Sequence, residues 1–161
     1  MSGPGYGNTP LHEAILEDQI ETIRSLLDGG ADPNAPNALG RRPLVCTDNK
    51  DVIALLLAHG ADPNAADALG RTALDTAVMG SVEVVELLLR AGADPNKTGW
   101  NKGWSTFTFA CRQVADIDTI KALIRGGADV NKADLQGETP LMAAKRRPDI
   151  QTLLREAGAT A

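Results

Sequence analysis

The stretch Gly30-Ala31-Asp32-Pro33-Asn34 decides the fold of this chain because it recurs. It returns at 60–64 and 92–96, and as Gly-Ala-Asp-Val-Asn at 127–131. Successive copies start 30, 32 and 35 residues apart, and Gly158-Ala159 opens a partial copy 31 residues later. A period of about 20 to 50 residues kept along a chain is typical of a stacked repeat array. We therefore expect similar units that share one core.

A second pattern repeats in step with the first. Its five copies are Thr9-Pro10-Leu11-His12-Glu13-Ala14, Arg42-Pro43-Leu44, Thr72–Ala77, Ser105–Ala110 and Thr139–Ala144. A Thr or Ser hydroxyl can cap free backbone N–H groups at a helix start, and Pro fits the first helical position. An apolar run that ends in glycine follows each copy, and glycine permits the left-handed conformation that ends a helix. Each unit is therefore predicted to hold two helices.

On these two patterns the chain resembles the ankyrin repeat family, whose units carry Thr-Pro-Leu-His-x-Ala. The resemblance implies an all-α ankyrin repeat solenoid of five helix-turn-helix units with β-hairpin-like fingers. Residues 1–161 are expected to form a single ankyrin repeat domain, with units at about 4–36, 37–66, 67–98, 99–133 and 134–161. The resemblance also implies that His12 makes a structural hydrogen bond between loops.

Three units depart from the regular length. Arg42 to Gly60 spans 18 residues, against 21 from Thr9 to Gly30, and we expect the second unit to keep at most one turn of its first helix. The fourth unit has one extra residue in its finger and one in its helices. The fifth is short, and Lys145-Arg146-Arg147-Pro148 is expected to join its helices and give it a solvated edge.

Charge and composition narrow the choice of partner and compartment. A net charge of −5 and a pI of about 5.0 argue against nucleic acid or an anionic membrane, which both require a basic surface. There is no apolar signal region near the N-terminus and no apolar run of transmembrane length. Cys46 and Cys111 lie in separate units and are expected to be reduced, buried thiols. We therefore expect a cytoplasmic monomer.

No convergent set of catalytic groups is visible, so the chain is predicted not to be an enzyme. His12 fits the repeat pattern, and His59 lies at a helix end, where free carbonyls favour a cation. The acidic residues that recur once per unit are expected to stabilise their own turns: Asp32, Asp62, Asp94 and Asp129. No cofactor and no metal are expected.

In folds of the resembling family, the fingers and the inner face of each first helix form a concave surface. We expect the partner-binding residues on that surface, and they are Tyr6, Leu39, Arg41, Leu69, Arg71, Met79, Trp100, Lys102, Trp104 and Arg112. Arginines in an acidic protein suggest a protein partner with an acidic or carboxylate-bearing patch.

Two features of this surface leave alternatives open. Ala-Leu-Gly-Arg occurs at 38–41 and again at 68–71, either as a paired apolar-plus-basic strip or as ordinary finger sequence. Trp100 and Trp104 lie in the lengthened fourth finger. Exposed tryptophans are enriched at binding hot spots, but one of them could fold back over Phe107 or Phe109.

The expected function is that of a protein–protein interaction module without catalysis. A first alternative rests on Asn34–Pro43, which, with the shortened helix after it, resembles the second repeat of the ankyrin-type cyclin-dependent kinase inhibitors. That resemblance implies a regulator that binds a kinase through repeats 1–3. A second alternative is a structural or engineered ankyrin scaffold, although irregular unit lengths speak against an idealised design.

Overall fold

The computed structural model of the chain describes residues 7–100 and 103–160. The α-helices of that part of the chain are α1 (Pro10–Leu16), α2 (Ile20–Asp28), α3 (Lys50–Ala58), α4 (Ala73–Ala77), α5 (Val82–Arg90), α6 (Thr106–Phe109), α7 (Ile117–Arg125), α8 (Pro140–Ala143) and α9 (Pro148–Glu156). The antiparallel strands β1 (Thr98–Trp100) and β2 (Trp104–Ser105) form the fourth finger.

The first helix of each unit begins at a side-chain cap where the sequence provides one. The side chain of a Thr or Ser accepts a hydrogen bond from the backbone N–H three residues later, at Thr9, Thr72, Ser105 and Thr139. Arg42 of the second unit makes no such bond, and only a 3-10 turn, Pro43–Val45, follows it. The prediction that the first helix of this unit keeps at most one turn is confirmed.

The fourth unit takes up its additional helical residue in a π-helical turn, Ala110–Val114, which directly follows α6. A π-turn closes its hydrogen bonds over five residues instead of four and therefore accommodates one residue more than an α-turn. The sequence predicted the extra residue, and the π-turn that accommodates it contains Arg112.

The second helix of each unit ends at a glycine in the left-handed region. The φ angles are 89° at Gly30, 87° at Gly60, 93° at Gly92, 94° at Gly127 and 95° at Gly158. A residue with a Cβ atom is strained at these angles, so the recurrence of glycine has a local steric cause.

The core lies between two rows of stacked helices. The second helices pack in the order α2, α3, α5, α7 and α9, while the 3-10 turn packs between α1 and α4, and α8 packs on α6 and the π-turn. Fully buried aliphatic side chains from successive second helices fill the interior: Ile23, Leu56, Leu88, Leu123 and Leu154. Each unit thus buries its apolar stripe against its neighbours, as in other repeat arrays.

A ladder of asparagines joins consecutive units. Asn64 Nδ2 donates to the carbonyl of Gly92 over 2.8 Å, and Asn64 Oδ1 accepts from the backbone N–H of Asp94, also over 2.8 Å. Asn34, Asn96 and Asn131 make the same pair of bonds to the units that follow them.

The recurring aspartates act within their own turns. Asp32 Oδ1 accepts from the backbone N–H of Asn34 over 2.8 Å, and Asp62, Asp94 and Asp129 repeat that bond. The predicted role of these carboxylates in stabilising their turns is confirmed.

Candidate partner-binding face

The exposed apolar side chains are concentrated on one side of the solenoid. Among the described residues, six of the seven large exposed apolar side chains belong to fingers, to first helices or to the turn that follows a first helix: Leu16, Leu39, Leu69, Met79, Leu135 and Met142. The seventh, Ile117, starts a second helix. We call the side formed by the fingers and first helices the finger face. Leu69 and Leu135 are the most exposed, at 71% and 73%.

The predicted partner-binding residues include Leu39, Leu69 and Met79 of this set, but not Leu16, Leu135 or Met142. Leu135 lies in the fifth finger, and Met142 takes the place in its unit that His12 has in the first. An apolar residue at a position where the repeat pattern expects a polar one was the available signal for Met142. Leu135 gave no comparable signal.

The fingers stack on one another through their backbones. The N–H of Ala38 donates to the carbonyl of Gly7, that of Ala68 to Gly40, and that of Leu135 to Gly103, each over 3.1 Å. A Cβ atom on Gly40 would lie 2.6 Å from the Cβ of Ala68, so only glycine permits this approach. The finger residues are therefore held at fixed spacings.

The two Ala-Leu-Gly-Arg tips differ in the state of their arginines. Arg71 Nε and Nη2 donate to Asp67 Oδ2 over 3.2 and 3.0 Å, and the Asp67 side chain is almost completely buried. Asn37 takes the place of Asp67 in the second unit, and the exposed Arg41 has no ion pair within the described residues. Arg71 therefore braces its own finger, whereas Arg41 remains available to a partner.

Trp104 folds back onto its own unit, which is one of the two alternatives that the sequence left open. Its ring stacks on Phe109 with centroids 6.1 Å apart and an angle of 18° between the planes. The guanidinium of Arg112 also lies over the Trp104 ring, 4.4 Å from its centroid. Trp104 is consequently half-buried and rigid. Tyr6, Lys102 and the side chain of Trp100 lie outside the described residues.

Arg112 is held by a second contact, an ion pair of Nη2 with Glu138 of the fifth unit. Both side chains are mostly shielded, so water screens this pair less than it screens a fully exposed one. Arg112 Nε is buried without a protein acceptor among the described residues. The arginine therefore spans two units with donor capacity left over.

A pocket of about 540 Å³ opens beside Arg112. Its lining consists of Arg112, Ala143, Lys145, Arg146 and Arg147. Arg147 Nη1 donates to the carbonyl of Ala110 over 3.4 Å, which ties it to the π-turn. We call this site the basic pocket. The sequence predicted only a solvated edge for Lys145–Arg147, because their approach to Arg112 depends on how the last two units stack.

Two buried polar groups link neighbouring units beneath this face. His12 Nε2 lies 3.0 Å from the carbonyl of Arg41 and Nδ1 lies 2.8 Å from the Thr9 hydroxyl, as expected for a neutral imidazole. Burial lowers the pKa of His12. The structural hydrogen bond implied by the family resemblance is confirmed. In the third unit Asp75 takes this place, and burial raises its pKa.

The remaining reactive side chains are dispersed. Burial raises the pKa of the Cys111 thiol to about 12, which leaves it protonated and inert. Cys46 is half-buried rather than buried as expected, since only a short turn covers it. Hydrogen bonds to Leu55 and Asp28 raise the pKa of His59. Within residues 7–100 and 103–160 no three His, Cys, Asp or Glu side chains are grouped as metal ligands would be.

Two rows of stacked helices with fingers along one edge define a helical repeat protein of the solenoid class. The chain belongs to the ankyrin repeat family, since it matches the family's three-copy ankyrin profile over residues 36–99 and its single-repeat profile over residues 6–38. These matches cover more than half of the 161 residues. The predicted all-α ankyrin solenoid is confirmed, and its repeats mark the chain as a protein–protein interaction module.

Similarity to individual proteins is local. The chain is 50% identical over 40 residues to cyclin-dependent kinase 4 inhibitor B of Mus musculus, a match covering 25% of this chain and 31% of that protein. It is 51% identical over 39 residues to transient receptor potential cation channel subfamily A member 1 of Homo sapiens, or 24% of this chain and 4% of that one. Identity to the human mitochondrial disaggregase is 50% over 38 residues, 24% of this chain and 5% of that one.

The matched segments thus span less than a third of each relative. The weaker resemblance to cyclin-dependent kinase inhibitors is confirmed as a partial similarity. Ankyrin repeats are typically non-catalytic. Through the described part of the chain, every helix is too short or too polar to traverse a bilayer.

Proposed function

We propose that the chain binds a protein partner through its finger face and has no catalytic activity of its own. The observation that carries this proposal is the one-sided exposure of apolar side chains, six of seven within the described residues. Exposed apolar side chains that share one side of a protein cost free energy in water and are typical of interaction sites. A face built from Leu39, Leu69 and Met79 offers a partner an apolar centre with a free cation, Arg41, beside it.

The rigidity of the face supports the same function. Stacked finger backbones and the asparagine ladder fix the exposed side chains before a partner arrives. A surface that is already ordered loses little conformational entropy on binding, so more of the contact energy appears as affinity. Arg41 and Arg112 favour a partner with an acidic or carboxylate-bearing patch. We further propose that the protein acts in the cytoplasm as a monomer.

Kinase binding through repeats 1–3 is a second candidate. The similarity to cyclin-dependent kinase 4 inhibitor B and the 3-10 turn in the second unit favour it. An ion channel subunit and a disaggregase match with 51% identity over 39 residues and 50% over 38, so the similarity does not single out kinase inhibitors. Purified cyclin-dependent kinase 4 offers a direct test: saturable binding supports this candidate, and its absence leaves the general proposal standing.

The experiment that tests the finger face compares two matched double variants in affinity capture from a lysate of the source cells. Leu39→Ser/Arg41→Gln removes one exposed apolar side chain and one cation from the fingers. Ile117→Ser/Arg24→Gln removes the same chemistry from the second-helix side. Both variants are first checked for unchanged circular dichroism and melting temperature.

We call Leu39→Ser/Arg41→Gln the finger variant and Ile117→Ser/Arg24→Gln the control. A partner that wild type and the control retain, but that the finger variant loses, supports the proposal. Equal retention by both variants overturns the proposal. Loss only in the control also overturns it and moves the site to the second helices. Turnover of a substrate by the purified protein would overturn the non-catalytic part.

A further inference from the structure

The basic pocket is out of keeping with the charge of the chain that holds it. The protein carries 21 acidic and 16 basic residues, yet four of the five described residues that line this pocket are Arg or Lys. Like charges brought together without compensation repel one another and destabilise the fold. Such a cluster does not stabilise the folded protein by itself, whereas a bound anion would offset the repulsion.

Two of the four cations that line the pocket have no acidic partner within the described residues. Glu138 pairs with Arg112, but none of the ion pairs within residues 7–100 and 103–160 includes Lys145, Arg146 or Arg147. Lys145 and Arg146 are exposed, while Arg147 is half-buried. Arg147 is close enough to Asp116 to help lower the pKa of that carboxyl, so Lys145 and Arg146 are the two cations left for a ligand within the described residues.

Two of the guanidiniums are already positioned. Arg112 is fixed between the Trp104 ring and Glu138, and Arg147 is tied to the carbonyl of Ala110. An anchored guanidinium holds its remaining N–H donors in fixed directions, and it loses little entropy when it binds an anion. The π-turn that places Arg112 here is a distortion frequently found at functional sites.

We propose that the basic pocket binds a phosphorylated side chain in an extended segment of the partner protein. A phosphoryl group carries a charge of about −1.5 to −2 and three acceptor oxygens, so it can bridge several cations where a single carboxylate cannot. The adjoining surface, lined by Gln136, Gly137, Glu138, Met142 and Lys145, provides room for neighbouring residues of the segment. The inference rests on the proposed function, because it assumes a protein partner.

The test titrates a capped heptapeptide, Gly-Gly-Glu-phosphoserine-Glu-Gly-Gly, into isotope-labelled full-length protein. The peptide concentration is raised to about 5 mM, a range that reveals even weak binding. We expect amide and guanidinium NMR shifts at Arg112 and at residues 145–147. Lys145→Gln/Arg146→Gln should weaken binding about 10-fold, because it removes two charge-assisted contacts to the phosphoryl group. Neither side chain has a structural partner within the described residues, so folding should be unaffected.

The control variant Arg24→Gln/Lys121→Gln removes two exposed cations from other helices and should bind as wild type does. Four results overturn the proposal: no shifts, shifts confined to other residues, equal weakening in the control variant, or equal binding of a peptide with glutamate in place of phosphoserine. Binding of RNA or of anionic phospholipid vesicles at the pocket without binding of the phosphopeptide also overturns it. Because the finger variant leaves the pocket intact, loss of its captured partner tests the proposed function separately.

Discussion

Asp75 Oδ1 accepts a hydrogen bond from Thr106 Oγ1 over 2.5 Å, across the boundary between the third and fourth units. Both residues depart from the repeat pattern, since Asp75 stands at the His position and Thr106 at the Pro position. Between the first two units the corresponding link runs from His12 to the carbonyl of Arg41 over 3.0 Å. The solenoid thus joins neighbouring units by two chemically different links of opposite response to pH.

Comparison with Asp75→Asn should reveal a pH dependence in the free energy of unfolding of the wild type. Burial raises the folded-state pKa of Asp75 above its ordinary value of 3.8. The unfolded chain therefore releases the proton first, and the stability that protonated Asp75 provides at low pH is lost as the pH rises through the raised pKa. We expect the free energy of unfolding of the wild type, relative to the Asn variant, to fall as the pH rises above about 4. Urea titrations at several pH values measure it, and a constant difference would contradict the raised pKa.

Thr106→Val should destabilise the fold more than Thr106→Ser. Valine has nearly the same shape but leaves Asp75 Oδ1 without its donor in a buried site, whereas serine keeps the hydroxyl. An unsatisfied buried acceptor costs about 1–3 kcal/mol. The measurement is the free energy of unfolding of the two variants. Equal losses would show that packing of the side chain, and not the hydrogen bond, stabilises this boundary.

The wild type should lose stability as the pH falls below neutrality, and His12→Gln should remove that loss. The folded-state pKa of His12 lies below 6.5 because the ring is buried, so the unfolded chain binds the proton first as the pH falls. The wild type should lose stability relative to the variant below about pH 6.5. His59 has a raised pKa, so its contribution is present at low pH and is lost as the pH rises through that value. His59→Gln therefore serves as the control of opposite sign.

Local chemistry explains which parts of the structure could be predicted. The turn at 30–34 and its copies could be predicted because each asparagine, aspartate and glycine acts within a few residues of its own position. The bracing of Arg71 could have been found too, since Asp67 lies four residues before it. The contact of Arg112 with Glu138 could not, because it joins two units through a π-turn whose position the residue count does not give.

Coupling between Trp104 and Arg112 should be measurable in a double-mutant cycle. The guanidinium lies 4.4 Å from the ring centroid, and a partly desolvated cation–π contact contributes about 0.5–2 kcal/mol. Trp104→Leu and Arg112→Gln, alone and together, give the coupling from their free energies of unfolding. Glu138→Gln in the same series isolates the ion pair. A coupling near zero would mean that Trp104 is held by Phe109 alone.

The second unit should open before the third in native-state hydrogen exchange. Its first helix is reduced to the 3-10 turn Pro43–Val45, with no side-chain cap at Arg42, while the third unit has a capping box at Thr72 and the regular helix α5. In a repeat array stability is the sum of each unit's own stability and its contacts with its neighbours, so the unit with the fewest helical bonds is the weakest joint. Amides of residues 43–50 should therefore exchange faster than those of 82–89. Comparable protection of the two segments would show that the packing of the 3-10 turn between α1 and α4 compensates for the missing helix.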